Sequence, residues 1–122
     1  MRKFNTLIME AKLLPNIEKE IKKIYPDCKI EGHDKFFINQ VLLTYKISDI
    51  DKNKIDIIWS INGDVKSVTY NKKTDDIISD DNNFDLNKDR VSIVAGFIVS
   101  VKEAFNSKSK LDGETIRDLI SK

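Results

Sequence analysis

Cysteine, histidine, proline and glycine are scarce in this chain. Its 122 residues include one Cys, one His, two Pro and four Gly. The lone Cys28 excludes an intramolecular disulfide, and with it the disulfide-stapled architecture of small secreted domains. A single histidine supplies no His pair for a metal, and four dispersed glycines form no loop that could cradle a phosphate. A reducing, intracellular setting is therefore expected.

Neither an excess of one charge nor a long apolar run is present. The 21 basic and 20 acidic side chains leave a formal net charge of +1. Nucleic-acid-binding domains usually carry a clear basic excess, so no direct contact with nucleic acid is expected. The most apolar stretch, residues 91–101, covers about 11 residues between Arg90 and Lys102, whereas a bilayer-spanning helix needs about 20. No transmembrane segment, membrane partner or secretory signal is predicted.

What the chain does contain is enough apolar side chain for one core, since 40% of its residues are hydrophobic. Its first segment is set apart by Pro15, which disfavours helix at the preceding residue. Before this proline, apolar residues recur at helical spacing and predict a leader helix over residues 1–14. Residues 15–122 are predicted to form a single α+β domain. The apolar residues of the leader are Phe4, Leu7, Ile8, Ala11 and Leu14.

A second amphipathic helix is predicted directly after Pro15. Ile17, Ile21 and Ile24 fall on one face, which we expect to be directed at the core. Glu18 and Lys22 are spaced for an i,i+4 ion pair on the outer face. Pro26 is expected to end this helix.

From Cys28 onward the apolar period changes to that of β-strands. Cys28 and Ile30 begin this pattern, a turn follows at residues 32–35, and a long strand is predicted from Phe37 to Ile47. A further strand over residues 55–61 leads into Asn62-Gly63, the pair best suited to a type I′ turn. A two-residue turn fixes the register of the next strand. The predicted cross-strand pairs are Ile61 with Asp64, Trp59 with Lys66, Ile57 with Val68, and Ile55 with Tyr70.

Residues 71–89 are rich in Asp and Asn and are interpreted as a long acidic loop. Apolar residues from Val91 to Phe105 fit a helix buried on more than one side, with a strand over residues 91–101 as the alternative. Asp112-Gly113 is expected to interrupt the chain before a terminal helix carrying Ile116, Leu119 and Ile120. The order α-β-β-β-β-α-α predicts an α+β fold, with an antiparallel sheet of about four strands and helices packed on one face.

Few residues suggest catalysis. His33 lies in a polar turn beside Asp34, where it could act as a base, although a solvated turn histidine is the ordinary interpretation. A Cys28–His33 couple is disfavoured because Cys28 occupies a strand position where small buried cysteines are common. No nucleophile, phosphate-loop or metalloprotease motif is present. The chain is therefore interpreted as a non-enzyme without a cofactor or metal.

Two groups of acidic residues deserve comparison. The first has the spacing of a calcium loop, but Lys54 stands where the loop requires Gly and Ser60 where it requires a bidentate Glu, so a polar hairpin connection is favoured. Its oxygen-bearing residues are Asp49, Asp51, Asn53 and Asp56. The second group is interpreted as a surface for a basic protein partner, with cation coordination and a solvated loop as the alternatives. Its predicted contact residues are Asp75, Asp76, Asp80, Asp81, Phe84 and Asp85.

Residues 1–11 read Met-Arg-Lys-Phe-Asn-Thr-Leu-Ile-Met-Glu-Ala. This order resembles the capsid-targeting leader of internal head proteins in T-even-type tailed phages. Shared features are a basic residue after the first Met, an aromatic residue at position four, an apolar pair at seven and eight, and Glu-Ala at ten and eleven. The matching residues are Arg2, Phe4, Leu7, Ile8, Glu10 and Ala11. Thr6 and Met9 differ from the acidic and small residues usual in such leaders, and residues 16–122 resemble no family in this way.

The resemblance implies a route for the protein. In that family the prohead protease cuts after an Ile/Leu-x-Glu sequence, which corresponds here to cleavage between Glu10 and Ala11. The apolar face of the leader would dock on the phage scaffold or capsid during assembly. The residues of this face are Phe4, Leu7 and Ile8. The protein would be packaged in the head interior and ejected with the genome into the host cytoplasm.

Ejected proteins of that family include inhibitors of host restriction. The leading hypothesis is therefore a phage internal head protein that acts in the host as a non-enzymatic binder or inhibitor of a defence protein, for example a nuclease. Two alternatives are a structural or assembly component of the virion, and an anti-defence accessory protein that is never packaged. An enzyme that uses His33 or the aspartates is the last alternative.

Overall fold

The computed structural model describes residues 15–32, 34–79 and 88–120. Helix α1 is described over residues 15–24. Six strands follow: β1 (Lys29–Glu31), β2 (Lys35–Ile38), β3 (Val41–Ile47), β4 (Lys54–Ile61), β5 (Asp64–Asn71) and β6 (Asp76–Ser79). The chain then forms helices α2 (Lys88–Phe105) and α3 (Gly113–Ile120). The predicted leader helix, His33 and residues 80–87 of the acidic segment lie outside the described residues.

The strands form one antiparallel sheet in the order β1-β2-β3-β4-β5-β6, so each strand pairs with its neighbour in sequence. Local pairing of this kind is expected when short turns join the strands. The α+β class and the antiparallel sheet are confirmed. Within the described ranges the sheet has six strands, where about four were predicted from the hydrophobic pattern.

One additional strand arises because the predicted long strand from Phe37 to Ile47 is a hairpin. The chain turns at Asn39 and Gln40, whose φ angles of 46° and 67° are both left-handed, so that Ile38 pairs with Val41. This two-residue turn needs the same pair of positive φ angles as a type I′ hairpin.

The turn also changes which residues of β2 face the core. Phe36 and Ile38 are buried and Phe37 is only half-buried, whereas an uninterrupted strand from Phe37 to Ile47 would have placed Phe37 on the same face as the buried Val41. The reason is that Phe36 is paired with Leu43 across the hairpin, which places both side chains on the same face.

The other additional strand, β6, lies inside the segment predicted to be a loop. Ile77 pairs with Tyr70 and Ile78 with Thr69. Asn71 closes the connecting turn, since its Oδ1 accepts a hydrogen bond of 2.9 Å from the Lys73 amide. Two consecutive isoleucines give too short an alternation to indicate a strand among so many Asp and Asn residues.

The predicted β4–β5 hairpin is confirmed in type and register. Asn62 and Gly63 have φ angles of 52° and 88°, as a type I′ turn requires. The four predicted cross-strand pairs are all present. A turn signal with regular alternation on both sides was therefore sufficient to predict both strands and their register.

The core lies between one face of the sheet and the helices. Helix α1 contributes Ile17 and Ile21, while α2 is buried on several sides and packs against β3 and β4. The helix predicted over residues 91–105 is confirmed, and the alternative strand was wrong. The buried residues of the sheet are Phe36, Ile38, Val41, Leu43, Tyr45, Ile47, Ile55, Ile57, Trp59, Val68 and Tyr70.

The helix ends follow local signals. Glu18 and Lys22 form the predicted ion pair at 3.2 Å, and α1 ends before Pro26. Ile24, however, is 49% exposed and was wrongly placed on the core-facing side. Asp112 caps α3, because its Oδ1 accepts a 2.8 Å hydrogen bond from the Thr115 amide.

No helix among the described parts of the chain has both the length and the apolar character needed to span a bilayer.

Candidate interaction surfaces

The sheet has a second face that points away from the core. On this face the described side chains are half-buried or exposed, and none is buried. Antiparallel sheets often have one such face, because only alternate side chains are needed for the core. We call it the open face. Its central positions are Phe37, Leu42, Thr44, Lys46, Asp56, Ile58, Ser60, Val65, Ser67 and Thr69.

An apolar patch lies on the open face. Phe37 is paired with Leu42 on the neighbouring strand, and Ser60 separates Leu42 from Val65 in the same row. Ile58 lies two residues from Ser60 on β4, within diagonal reach of Leu42. Val65 is 64% exposed. These four residues, Phe37, Leu42, Ile58 and Val65, form the part of the face best suited to bury apolar surface against a partner.

A charged row crosses the same face. Lys46 on β3 is opposite Asp56 on β4, and Asp56 is opposite Thr69 on β5. The Thr69 hydroxyl donates a 2.7 Å hydrogen bond to Asp56 Oδ1, which fixes this carboxylate on the open face. Asp56 therefore belongs to strand β4, whereas Asp49 and Asp51 lie in the loop before it.

The loop between β3 and β4 is built from its own polar groups. Ser48 Oγ accepts hydrogen bonds of 3.2 Å from the amides of Ile50 and Asp51, and Asp51 Oδ1 accepts one of 2.9 Å from the Asn53 amide. These contacts are those of side-chain-closed turns. Ile50, at the tip, is 95% exposed, so the hairpin connection presents an apolar side chain between two aspartates.

The structure describes two residues of the predicted acidic surface. One of them is exposed and the other points into the fold. Asp76 is exposed on the edge strand β6, where its Oδ1 accepts a 2.7 Å hydrogen bond from the Thr74 hydroxyl. Ile78, two residues on, is 55% exposed. An edge strand that carries an exposed apolar residue and an acid can accept an extended segment of another protein. Asp80, Asp81, Phe84 and Asp85 lie outside the described residues.

Asp75 points inward and connects two loops. It adopts a positive φ of 54°, and its carboxylate accepts hydrogen bonds from the Tyr70 hydroxyl at 2.7 Å and from the Ser109 hydroxyl and the Lys110 amide. Desolvation opposes ionisation of this carboxyl, but the hydrogen bonds from Ser109, Lys110 and Tyr70 outweigh it and lower the pKa of Asp75. Both carboxylate oxygens are therefore engaged within the chain.

Tyr70 extends this network to helix α2. Asn106 Nδ2 donates a 3.0 Å hydrogen bond to the Tyr70 hydroxyl, and the ring of Phe105 meets that of Tyr70 edge-on at 6.3 Å. Burial raises the pKa of Tyr70, so its hydroxyl remains a donor at neutral pH. The arrangement fixes the β5–β6 turn to the connection between α2 and α3.

Lys102 is a buried polar residue that the sequence pattern did not single out. It is 2% exposed, and its Nζ lies 2.8 Å from Glu103 Oε1. Its charge lowers the pKa of Asp75 and of Asp112, although hydrogen bonds matter more at both carboxyls. Lys102 ends the apolar run of α2, where a solvated lysine would ordinarily be expected.

Of the residues considered for catalysis, the structure describes Cys28 and Asp34. Cys28 is buried, its Sγ is 3.8 Å from the Lys29 carbonyl oxygen, and burial raises the pKa of its thiol, which disfavours the reactive thiolate. Asp34 is half-buried, and its proposed partner His33 lies outside the described residues. Among the residues that the structure covers, no group of three or more His, Cys, Asp or Glu side chains is arranged to hold a metal ion.

Over the described residues the chain forms an α+β domain with a six-stranded antiparallel meander, one open sheet face and an edge strand, β6, that exposes Asp76 and Ile78. Comparison with protein-family models, curated proteins and solved structures found no match to the chain.

Proposed function

We propose that this chain is a phage internal head protein, directed into the capsid by its first residues and acting after ejection as a non-enzymatic protein binder. The observation that carries the packaging part is the resemblance of residues 1–11 to a capsid-targeting leader, with Ile8-Met9-Glu10 as the cleavage sequence. Ile17 is the first residue of the described core, and it lies beyond the Glu10-Ala11 bond. Cleavage at this bond would remove no residue of that core.

The described part of helix α1 also supports a leader that is separate from the folded domain. It is anchored through Ile17 and Ile21, so the folded body retains its first helix after processing. Pro15 is the first described residue of α1. Cleavage between Glu10 and Ala11 would leave Ile17 and Ile21 in the domain.

The binding part of the proposal is supported by the outward edge of the sheet. Asp76 and Ile78 are exposed on β6, and the sequence continues from that strand into Asp80, Asp81 and Asp85. An acidic edge with an apolar anchor suits a basic host protein, such as a defence nuclease that presents a positive surface to nucleic acid.

Packaging is tested by mass spectrometry and N-terminal sequencing of the protein from purified phage particles. We expect a chain that begins at Ala11. The variant Glu10→Ala should be packaged uncut, whereas the matched control Glu18→Ala, on the exposed side of α1, should still be processed. An intact Met1 at fixed copy number in wild-type particles would instead indicate a structural component of the virion.

Absence of the protein from the head would favour the unpackaged accessory protein.

Binding is tested separately, with a purified restriction nuclease of the host. We expect the chain to slow DNA cleavage, and the combined variant Asp76→Lys, Asp80→Lys, Asp81→Lys to lose this effect. The control Asp64→Lys changes another exposed acid, at the far end of β5, and should retain it. Equal loss in both variants would reject the acidic edge as the contact surface.

A further inference from the structure

The open face of the sheet carries both an apolar patch and a row of opposite charges. The patch consists of Phe37, Leu42, Ile58 and Val65, and the charges are those of Lys46 and Asp56. We propose that a second copy of this chain packs on the open face. The two copies are related by a two-fold axis that runs parallel to the strands, midway between the two sheets and above the gap between β3 and β4. This inference does not rest on the leader, but it involves the face that also carries the acidic edge, because Ile78 is paired with Thr69.

The strand register makes the face self-complementary about that axis. The rotation exchanges β3 with β4 and β2 with β5, while positions along the strand direction are kept. Phe37 and Val65 belong to one row, in which Leu42 and Ser60 occupy the two central strands. Phe37 of one copy therefore faces Val65 of the second copy, and the same contact is made twice.

Charge complementarity identifies the occupant as a second copy. Lys46 and Asp56 are directly paired across β3 and β4, so the rotation that exchanges these strands places each lysine over an aspartate of the second copy. The Thr69 hydroxyl, 2.7 Å from Asp56 Oδ1, holds one of these charges in position. A formal net charge of only +1 gives two copies little overall repulsion.

Face-to-face packing is also the usual way in which two antiparallel sheets bury their remaining apolar side chains. The sheets then lie about 10 Å apart with strands nearly aligned. In this chain the half-buried Leu42 and Ile58 and the exposed Val65 would become interface residues. The helices stay on the outer sides of the dimer.

The test is the dissociation constant for self-association, measured by analytical ultracentrifugation over a wide range of concentrations. We expect a reversible dimer for the unaltered chain and, for Val65→Asp, a dissociation constant raised at least about tenfold. Ile50→Asp places the same charge on an apolar residue that is 95% exposed outside the open face, and it should leave association unchanged. A chain that remains monomeric at every concentration, or an unchanged dimer in Val65→Asp, overturns the proposal.

A charge exchange tests the two-fold register itself. Lys46→Asp and Asp56→Lys should each weaken self-association. In either variant, residues 46 and 56 carry the same charge, so like charges face each other across the dimer interface. An equimolar mixture of the two variants should restore association as a mixed dimer, since each acidic copy meets a basic one. Repulsion confined to one chain would persist in the mixture, so failure to restore association rejects the proposed pairing. Circular dichroism of each variant establishes that the sheet is intact.

Discussion

The two faces of the sheet are made by the same strands and yet have opposite characters. On β4, Ile57 is fully buried against the helices while its neighbour Ile58 lies half-buried on the open face. On β5, Val68 is 2% exposed and Val65 is 64% exposed. Residue type alone therefore does not determine burial; the position in the alternation does. Among the described residues, the buried side chains of the sheet are concentrated on one face.

The largest expected difference in stability is between variants of two adjacent isoleucines. Ile57→Ala removes methyl groups from the core and leaves a cavity, so it should lower the free energy of unfolding by about 3 kcal/mol. Ile58→Ala removes the same atoms from the open face and should cost less than about 1 kcal/mol. Urea denaturation followed by circular dichroism measures both values, at concentrations where the chain is monomeric. Similar costs for the two variants would contradict the assignment of the faces.

A smaller difference is expected for the two valines of β5. Val68→Thr places a hydroxyl in the apolar core and should destabilise the domain by about 1–2 kcal/mol. Val65→Thr keeps the same shape at an exposed strand position and should change stability by less than about 0.5 kcal/mol. Thermal unfolding provides the measurement. A loss in Val65→Thr as large as that in Val68→Thr would mean that the open face is covered within a single chain.

Asp75, directly before β6, and Asp76, its first residue, provide the same comparison of an engaged and an exposed side chain for polar residues. Asp75→Asn should cost about 1 kcal/mol, because an amide cannot accept all the hydrogen bonds that the carboxylate receives from Tyr70, Ser109 and the Lys110 amide. Asp76→Asn should be nearly neutral, since its carboxylate is exposed. Chemical denaturation of the two variants at neutral pH gives this difference.

The contribution of Asp75 should also depend on pH. Its pKa in the folded chain lies below the ordinary value of 3.8, so the stabilising effect is complete above that value. It is lost as the pH falls through the folded pKa, because the carboxyl then becomes protonated. The stability difference between the unaltered chain and Asp75→Asn should shrink over this acid range. A difference that grows on acidification would show that the carboxylate is not stabilised by its donors.

The smallest effect concerns the turn that directs Phe36 to the core and Phe37 to the open face. Gln40 has a φ of 67°, which strains a residue with a side chain. Gln40→Gly should relieve this strain and raise the free energy of unfolding by up to about 1 kcal/mol. The matched change Gly63→Ala, at a φ of 88°, should lower it by a similar amount. A destabilised Gln40→Gly would argue against the left-handed turn.

The sequence indicated those parts of the fold in which several signals agree. Asn62-Gly63 combines a turn preference with alternation on both sides, and it predicted the whole β4–β5 register. Asn39-Gln40 adopts the same backbone conformation, but glutamine is not a residue that signals positive φ, so the hairpin was read as one strand. Pairing with β5 makes a strand of the short Ile77-Ile78 segment, and such tertiary context is not visible locally.

The interaction surfaces were harder to anticipate than the fold. Asp75 and Asp76 are adjacent and chemically identical, so composition could not indicate that one is engaged with Ser109 and the other exposed. The open face depends on the register of four strands, and the register of only one of the three hairpins involved was predicted. The leader proposal rests on sequence resemblance, because residues 1–14 lie outside the described structure.

Deletion of residues 2–10 tests the central claim most directly. The amount of the protein in purified phage heads is measured by quantitative mass spectrometry, relative to the major capsid protein. The deletion spares Ile17 and Ile21, so the account predicts a folded chain that is synthesised normally but absent from the heads. Incorporation equal to that of the unaltered chain would contradict the role of the leader as a capsid-targeting signal.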